Sequence, residues 1–240
     1  MLFRTKGIVL HSLHYSDNRI IVKVYTEAFG LESFIATISR SKTAKLRIAM
    51  FQPLSQLDLV VTRKESGRLG TVKEANAAFP YQFMHTDIVK MSVAMFLSEF
   101  LYKTIREEEK NGELYSFLEK SLQILDLQQE GVANFHLMFL VKLTRYFGFY
   151  PKQQDGGNHF FDMKEGVFRS QQPAHPLWAD AQETAWILQL MNTGFENIQN
   201  IHLNAEARRR VLQRLLQYYE LHLQGMGNIQ SHEVLETVLE

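Results

Sequence analysis

The sequence predicts an α+β protein of several domains, in which an N-terminal β-barrel precedes an α-helical bundle. Two changes near residue 80 support this fold class. The hydrophobic pattern changes there from a period of about two to a period of about 3.6, and the excess of charge changes from basic to acidic. Since 240 residues can form two ordinary domains, we expect a barrel domain over 1–80 and a helical domain over 81–240.

The first domain contains five β-rich segments separated by turn-forming residues. Ser16-Asp17-Asn18 separates the first two segments, and Gly30 begins the third. The expected strands are Phe3–Leu13, Arg19–Thr26, Leu31–Ser39, Pro53–Arg63 and Thr71–Ala77. Five short strands favour a small barrel of the OB type, with an SH3-like barrel or a half-sandwich as alternatives.

The second domain shows helical periodicity with capping signals. A helix capped by Thr86 or Asp87 is expected to end near Lys110, with an apolar face that includes Ile88, Met91 and Met95. Phe135–Phe147 is apolar on nearly all sides, which is typical of the central helix of a bundle. The other expected helices are Leu114–Leu125, Asp180–Asn192, Asn204–Gln224 and a short or frayed helix over the last dozen residues.

Residues 149–178 interrupt the helical pattern. This stretch contains Pro151, Gly156-Gly157, Gly166, Pro173 and Pro176, which favour turns over regular elements. We therefore expect an irregular excursion inside the helical domain.

The composition argues against several classes of protein. The chain has no cysteine, which excludes disulfides, thiolate metal sites and a cysteine nucleophile and favours a reducing cytoplasm. Neither a membrane-spanning apolar run nor a signal peptide is recognisable. His232-Glu233 lacks the second histidine of a zinc-protease motif, and no phosphate-binding glycine loop is present. We expect no enzymatic activity, no cofactor and no metal.

The distribution of charge indicates an anionic partner for the first domain. Residues 1–80 contain 12 Lys and Arg against 6 Asp and Glu, and the remainder contains 14 against 20. Much of the basic excess lies in the segment Ser39–Leu59, whose first half is cationic and whose second half returns to a strand through Gln52-Pro53-Leu54. Nucleic acid is the expected anion, and mutual attraction between the two domains is the alternative.

Cations combined with aromatic rings on a barrel suit a nucleic-acid strand, because cations contact phosphates and rings stack on bases. Each ring alone is more typical of the core. A second basic cluster, at Arg208-Arg209-Arg210 and Arg214, is expected to make intramolecular or partner contacts. The candidate nucleic-acid residues are Arg4, Lys6, Arg19, Lys23, Arg40, Lys42, Lys45, Arg47, Arg63, Lys64 and Arg68, with Tyr15, Tyr25 and Phe34 as stacking candidates.

Several segments resemble the RecO family of bacterial DNA repair and recombination mediators. The matching residues occur in the order and spacing of that family over most of the chain. They are Gly7-Ile8-Val9-Leu10, Tyr15, Arg19-Ile20, Gly30, Arg40, Lys42, Gln52-Pro53-Leu54, Leu57-Asp58-Leu59, Gly148-Phe149-Tyr150-Pro151 and Phe161-Asp162.

The resemblance implies an OB domain followed by a helical domain in a non-enzymatic, cytoplasmic, nucleoid-associated protein. It implies binding to single- and double-stranded DNA, annealing of complementary strands, and cooperation with RecR in loading RecA onto DNA coated by single-stranded DNA-binding protein. The acidic tail of the latter protein is expected to contact Lys142, Arg145 and Phe149. An RNA-binding OB protein linked to translation or RNA metabolism is the alternative, and an enzyme is a third.

The sequence departs from the family pattern after Pro151. Many members of the family carry four zinc-binding cysteines in this region, whereas residues 152–178 contain none. We expect Phe160, Phe161, Phe168 and Trp178 to hold the excursion by packing instead.

This departure predicts a protein without zinc. Metal analysis of the purified protein by mass spectrometry should find far less than one zinc per chain, because no thiolate set is available to bind it. Stoichiometric zinc would contradict the prediction.

Overall fold

The computed structural model describes residues 1–39, 46–63, 69–106, 109–153 and 157–240. The chain divides into two compact units, Met1–Leu127 and Gln128–Glu240. This division groups the first two helices with the barrel. The predicted boundary at residue 80, which follows the change of secondary structure, stays a prediction.

The first unit contains a closed five-stranded barrel. Its strands are β1 (Leu2–Ser16), β2 (Arg19–Thr26), β3 (Gly30–Thr37), β4 (Gln56–Thr62) and β5 (Gly70–Phe79), in the order β1-β2-β3-β5-β4. Strands β3 and β5 pair in parallel, and the other pairs are antiparallel. The predicted OB-like barrel is confirmed.

The alternation of buried and exposed residues along the strands shows which side chains form the barrel core. In β2 the even-numbered Ile20, Val22 and Val24 are buried, so the odd-numbered residues between them point away from the core. Gly7 allows β1 to approach this core closely, because a Cβ there would lie 2.5 Å from Cγ1 of Val24. A side chain at position 7 would displace the packing of β2.

The turn before β4 anchors that strand to β1. Leu54 is fully buried and has a φ of 61°, a conformation that is unusual for a branched residue. Its N–H donates to the Val9 carbonyl (2.8 Å), and the Val9 N–H donates to the Ser55 carbonyl (3.0 Å). The strand predicted from Pro53 therefore begins only at Gln56, after this turn.

Two helices complete the first unit. Helix α1 spans Ile88–Thr104 and begins at the Asp87 side chain, which accepts from the Lys90 N–H at 2.9 Å. Helix α2 spans Gly112–Leu127. The prediction for α1 was wrong in length and in part of its face, since Ile88, Met91 and Met95 are exposed. The large apolar residues of the buried face are Val93, Phe96, Leu97, Phe100 and Leu101.

A buried carboxylate joins the segment that follows the barrel to the end of α2. Asp126 is fully buried and accepts from three successive backbone N–H groups, those of Gln82 (2.9 Å), Phe83 (2.8 Å) and Met84 (2.7 Å). The Lys90 ammonium donates to the Asp126 carbonyl at 2.6 Å. We call this arrangement the Asp126 clasp.

The second unit is built around the predicted apolar helix. Helix α3 spans Phe135–Leu143, and eight of its nine residues are buried. It is shorter than predicted, because the chain continues through turns to Gly148, which has a φ of 84°. Helices α4 (Ala181–Asn192), α5 (Ala205–His222) and α6 (Ser231–Val238) follow.

The region predicted as an irregular excursion contains a small sheet. Strands β6 (Phe160–Asp162), β7 (Val167–Arg169) and β8 (Trp178–Ala179) pair in the order β7-β6-β8. The prediction missed them because segments of two or three residues are too short to show a period.

Aromatic packing and one carboxylate hold this sheet. Phe161 stacks on Phe168 with centroids 4.9 Å apart and meets Tyr218 of α5 edge-on at 4.9 Å, while Phe160 packs against Trp178 at 5.5 Å. Buried Asp162 accepts from the Lys164 and Glu165 N–H groups and from the Arg169 guanidinium, and lies 3.2 Å from His175.

The arginines of α5 serve contacts within the second unit, as predicted. Their partners lie on α4, on α6 and in the turns beside them. Arg208 donates to the Leu203 and Leu239 carbonyls, Arg209 pairs with Glu236 and Glu240, Arg210 with Asp180 and Glu183, and Arg214 with Glu183.

The Asp126 clasp generates a stability prediction. Asp126→Ala leaves three N–H groups without their acceptor, which should lower the free energy of unfolding by about 3–5 kcal/mol. Urea denaturation followed by circular dichroism measures this change.

Asp58→Ala is the matched control, because Asp58 is an exposed carboxylate of the same unit. We expect it to change stability by less than about 0.5 kcal/mol. Equal effects of the two substitutions would show that the clasp does not stabilise the unit.

Candidate nucleic-acid interface

The outer face of β2 presents two of the predicted cations. Arg19 and Lys23 alternate with the buried Ile20 and Val22 and therefore point outward together with Ile21. Lys23 lies opposite His11 on β1 and Ser33 on β3. OB domains bind oligonucleotides on the face of their second and third strands, which here are β2 and β3.

The end of the β1–β2 hairpin combines a cation with an exposed ring. Tyr15 is 62% exposed, and the neighbouring Ser16 pairs with Arg19 across the turn. Within the part of the chain that the structure describes, the Arg19 guanidinium has no ion pair or hydrogen bond. An exposed ring beside an unpaired cation can stack on a base while the cation contacts a phosphate.

The first helix contributes residues to this face that the sequence did not reveal. The Tyr102 ring of α1 stacks on His11 with centroids 4.6 Å apart, and the Lys23 ammonium lies 5.3 Å from the centroid of the same ring. These contacts fix the position of Lys23 near the barrel. No local pattern could predict them, because Tyr102 is remote in sequence from both partners.

Arg4 and Lys6 lie on a different sector of the barrel. They pair with Val60 and Asp58 of β4, whereas Arg19 and Lys23 lie across the hairpin. The Lys6 ammonium is 3.2 Å from a carboxylate oxygen of Glu119. The hydrogen bond to Glu119 and the charge of that group raise the pKa of Lys6. Lys6 therefore serves an internal ion pair.

Arg63 is also engaged inside the unit. Its guanidinium lies 2.6 Å from Glu32 and 4.3 Å from the centroid of the Phe29 ring. Arg47 is exposed and precedes a short 3-10 helix at Ile48–Phe51; among residues 1–39 and the other described ranges it has no ion-pair partner.

Two of the predicted stacking residues are buried, which corrects the sequence analysis. Tyr25 and Phe34 are both 0% exposed. Phe34 points into the barrel core, and the Tyr25 ring lies 6.3 Å from that of Tyr115 on α2. Neither ring can reach a base. Arg40, Lys42, Lys45, Lys64 and Arg68 lie outside the described residues.

The three residues predicted to contact a protein tail face different rings of the second unit. Lys142 lies 6.0 Å from the centroid of the Phe195 ring, and Arg145 lies 4.7 Å from that of Tyr150. Phe149 stacks on His222 at 5.1 Å. Burial and, to a smaller extent, the charge of Arg145 lower the pKa of Lys142. A shared pocket for the three residues stays a prediction.

The described residues form neither a metal-binding cluster nor a membrane-spanning helix. Among these residues, no group of three or more His, Asp or Glu side chains is placed to hold a metal ion. No helix in the same ranges is long and apolar enough to span a membrane.

Family models and individual relatives assign this chain to the same family. Residues 1–81 match the family model described as Recombination protein O N terminal, and residues 85–229 match the one described as Recombination protein O C terminal. The chain is 37% identical over 237 residues to "DNA repair protein RecO" of Phocaeicola vulgatus, with 98% of both chains covered. It is 37% identical over 242 residues to the protein of that name from Bacteroides fragilis, with 100% of both covered, and 38% identical over 239 residues to that from Flavobacterium johnsoniae, with 99% of both covered. Together with the OB-like barrel, these matches show that the chain belongs to the RecO family of DNA repair proteins.

Proposed function

We propose that this chain is a non-catalytic recombination mediator that binds single- and double-stranded DNA and anneals complementary strands. In this role it acts in the cytoplasm, at the nucleoid. It cooperates with RecR to load RecA onto DNA coated by single-stranded DNA-binding protein, whose acidic tail meets the second unit near Lys142, Arg145 and Phe149. The observation that carries the DNA-binding part is the exposed Tyr15 near Arg19, which has no ion-pair partner in the described ranges, at the end of the β1–β2 hairpin of an OB-like barrel.

The disposition of the cations supports a strand that follows the hairpin. Lys6 and Arg63 already neutralise carboxylates, so they have less charge to offer a phosphate. In the described ranges neither Arg19 nor Lys23 has a carboxylate partner, and the Lys23 ammonium lies 5.3 Å from the centroid of the Tyr102 ring. Phosphate contacts by these two groups position a strand without reading its sequence.

A salt titration tests the phosphate contacts. Binding of a fluorescent single-stranded oligonucleotide should weaken with salt with a log-log slope near −4, if about six phosphates are neutralised at about 0.7 each. Arg19→Ala should reduce the steepness of this slope by about 0.7. Lys164→Ala, which removes an exposed cation of the second unit, should leave the slope unchanged.

Tyr15 supplies a separate contribution in the same assay. Tyr15→Ala should weaken binding by about 1–3 kcal/mol at every salt concentration, and Tyr15→Phe should retain most of the affinity because it keeps the ring. Binding that is indifferent to salt and to Tyr15 would contradict this interface. Stronger competition by RNA than by DNA would favour an RNA ligand, since RNA-binding proteins recognise the 2′-hydroxyl.

The annealing activity has its own test, directed at the basic segment. Complementary strands coated with single-stranded DNA-binding protein should anneal several-fold more slowly with a variant in which Arg40, Lys42, Lys45 and Arg47 are all alanine, because four phosphate contacts are lost. Fluorescence quenching between labelled strands measures the rate. Annealing at the wild-type rate would exclude the segment from the interface.

A further inference from the structure

Strand β1 is longer than the partners that cover one of its edges. Strand β4 pairs with Leu2–Ile8 only, and the main chain of Leu54 and Ser55 covers Val9 at 2.8 and 3.0 Å. The Ser98 hydroxyl of α1 then donates to the Leu10 carbonyl at 2.6 Å. From His11 onward, β1 pairs with β2 alone among the described strands.

Among the described residues, the second half of β1 therefore has an open edge, which we call the β1 edge (His11–Ser16). All six residues are exposed. Register shifts on either side of His11–His14 leave these four residues in regular pairing with β2. Sheet edges in folded proteins are commonly protected by Lys, Pro or an inward-pointing charge, and His-Ser-Leu-His-Tyr-Ser contains none of these.

The side chains around the β1 edge define the chemistry of a partner. Leu13 and Tyr15 are 57% and 62% exposed, and Leu13 lies opposite Ile21. Arg19 and Lys23 flank these apolar groups, and Asp17 is the one acidic residue between positions 11 and 23. An extended chain with acidic and apolar side chains would complement this surface in charge and in shape.

The length of the edge decides between possible occupants. Six extended residues span about 20 Å, so two copies of this chain joined here alone would bury far less than the roughly 1,200 Å² of a stable interface. An added peptide strand needs no such area, because main-chain hydrogen bonds supply affinity and alternate side chains supply specificity.

We infer that the β1 edge binds an extended acidic peptide segment of a partner protein, which adds to the barrel as an antiparallel or parallel strand beside β1. The peptide's main chain pairs with the open N–H and C=O groups of His11–Ser16. Its carboxylates contact Arg19 and Lys23, and its apolar side chains cover Leu13 and Tyr15. This site takes a polypeptide through main-chain hydrogen bonds, and it shares Arg19 and Tyr15 with the proposed nucleic-acid interface, so an oligonucleotide bound there would compete with the peptide.

Hydrogen exchange tests the main-chain contacts directly. The probe is a capped octapeptide of alternating Glu and Val, added to the full chain at increasing concentration. It should slow exchange of backbone amides within residues 11–16 by about tenfold or more at saturation, since strand addition protects alternate N–H groups. A single-stranded oligonucleotide should not produce this protection.

Two control peptides separate strand addition from charge attraction. The same octapeptide with an N-methyl group on every residue keeps its charge and loses all of its backbone N–H donors, so it should give no protection. An octapeptide of alternating Lys and Val keeps the backbone and reverses the charge. It should bind at least about tenfold more weakly than the acidic octapeptide. Equal protection by all three peptides would overturn the proposal.

Variants of the protein locate the site. Leu13→Asp places a carboxylate on the edge and should abolish protection by the acidic octapeptide, whereas Val234→Asp, at a residue of α6 that is 51% exposed, should not. Arg19→Glu should weaken binding of the same peptide about tenfold, with circular dichroism confirming the fold of each variant. Normal peptide binding by Leu13→Asp would overturn the site.

Protection of residues 11–16 that grows with protein concentration in the absence of peptide would also overturn the proposal, because a second copy would then occupy the edge. The test does not depend on the proposed function. Failure to bind oligonucleotides would leave the exchange result intact, and the absence of exchange protection would leave the salt dependence of DNA binding intact.

Discussion

The Asp126 clasp holds the segment that connects the last barrel strand, β5, to the first helix, α1. One buried carboxylate accepts from three successive N–H groups of the segment after β5, and the residue's own carbonyl accepts from Lys90 near the start of α1. Tyr81, which immediately precedes Gln82, donates a hydrogen bond from its hydroxyl group to the Leu54 carbonyl at 2.9 Å. Since Leu54 also binds β1 through Val9, a continuous set of hydrogen bonds runs from the end of α2 to the strand that carries the candidate interface.

The five strands and the main helices could be predicted because each is encoded by a local period. Phe34 could also have been assigned to the core, since it and Ala36 continue the inward alternation of β3. Tyr25 could not, because its strand neighbour Val24 already faces the core and Tyr25 is covered from the other side, by Tyr115 of α2. Burial by an element distant in sequence leaves no trace in the alternation of a strand.

The candidate interface was predicted as a set of residue types, and the structure distributes these residues over separate places. Composition revealed an excess of cations in the first 80 residues, yet it could not show which cations are neutralised. Lys6 meets Glu119 across 113 positions of sequence, and Arg63 meets Glu32. Arg19 and Tyr15 both lie at the end of the β1–β2 hairpin, because the turn that joins their strands is local in sequence. Long-range ion pairs thus reduce the number of cations on the barrel that are available to contact a phosphate.

The way in which the small sheet of the second unit is held together determines which oxidation reactions can affect it. Its three strands are joined by stacked rings and by the hydrogen bonds of Asp162, and the chain contains no thiol. Oxidants that break DNA also convert thiolates to disulfides and sulfinic acids, which releases metal from cysteine sites. Carboxylate hydrogen bonds and aromatic contacts are not open to that reaction. Residues 152–178 contain no thiol, so that reaction has no group to act on in this segment.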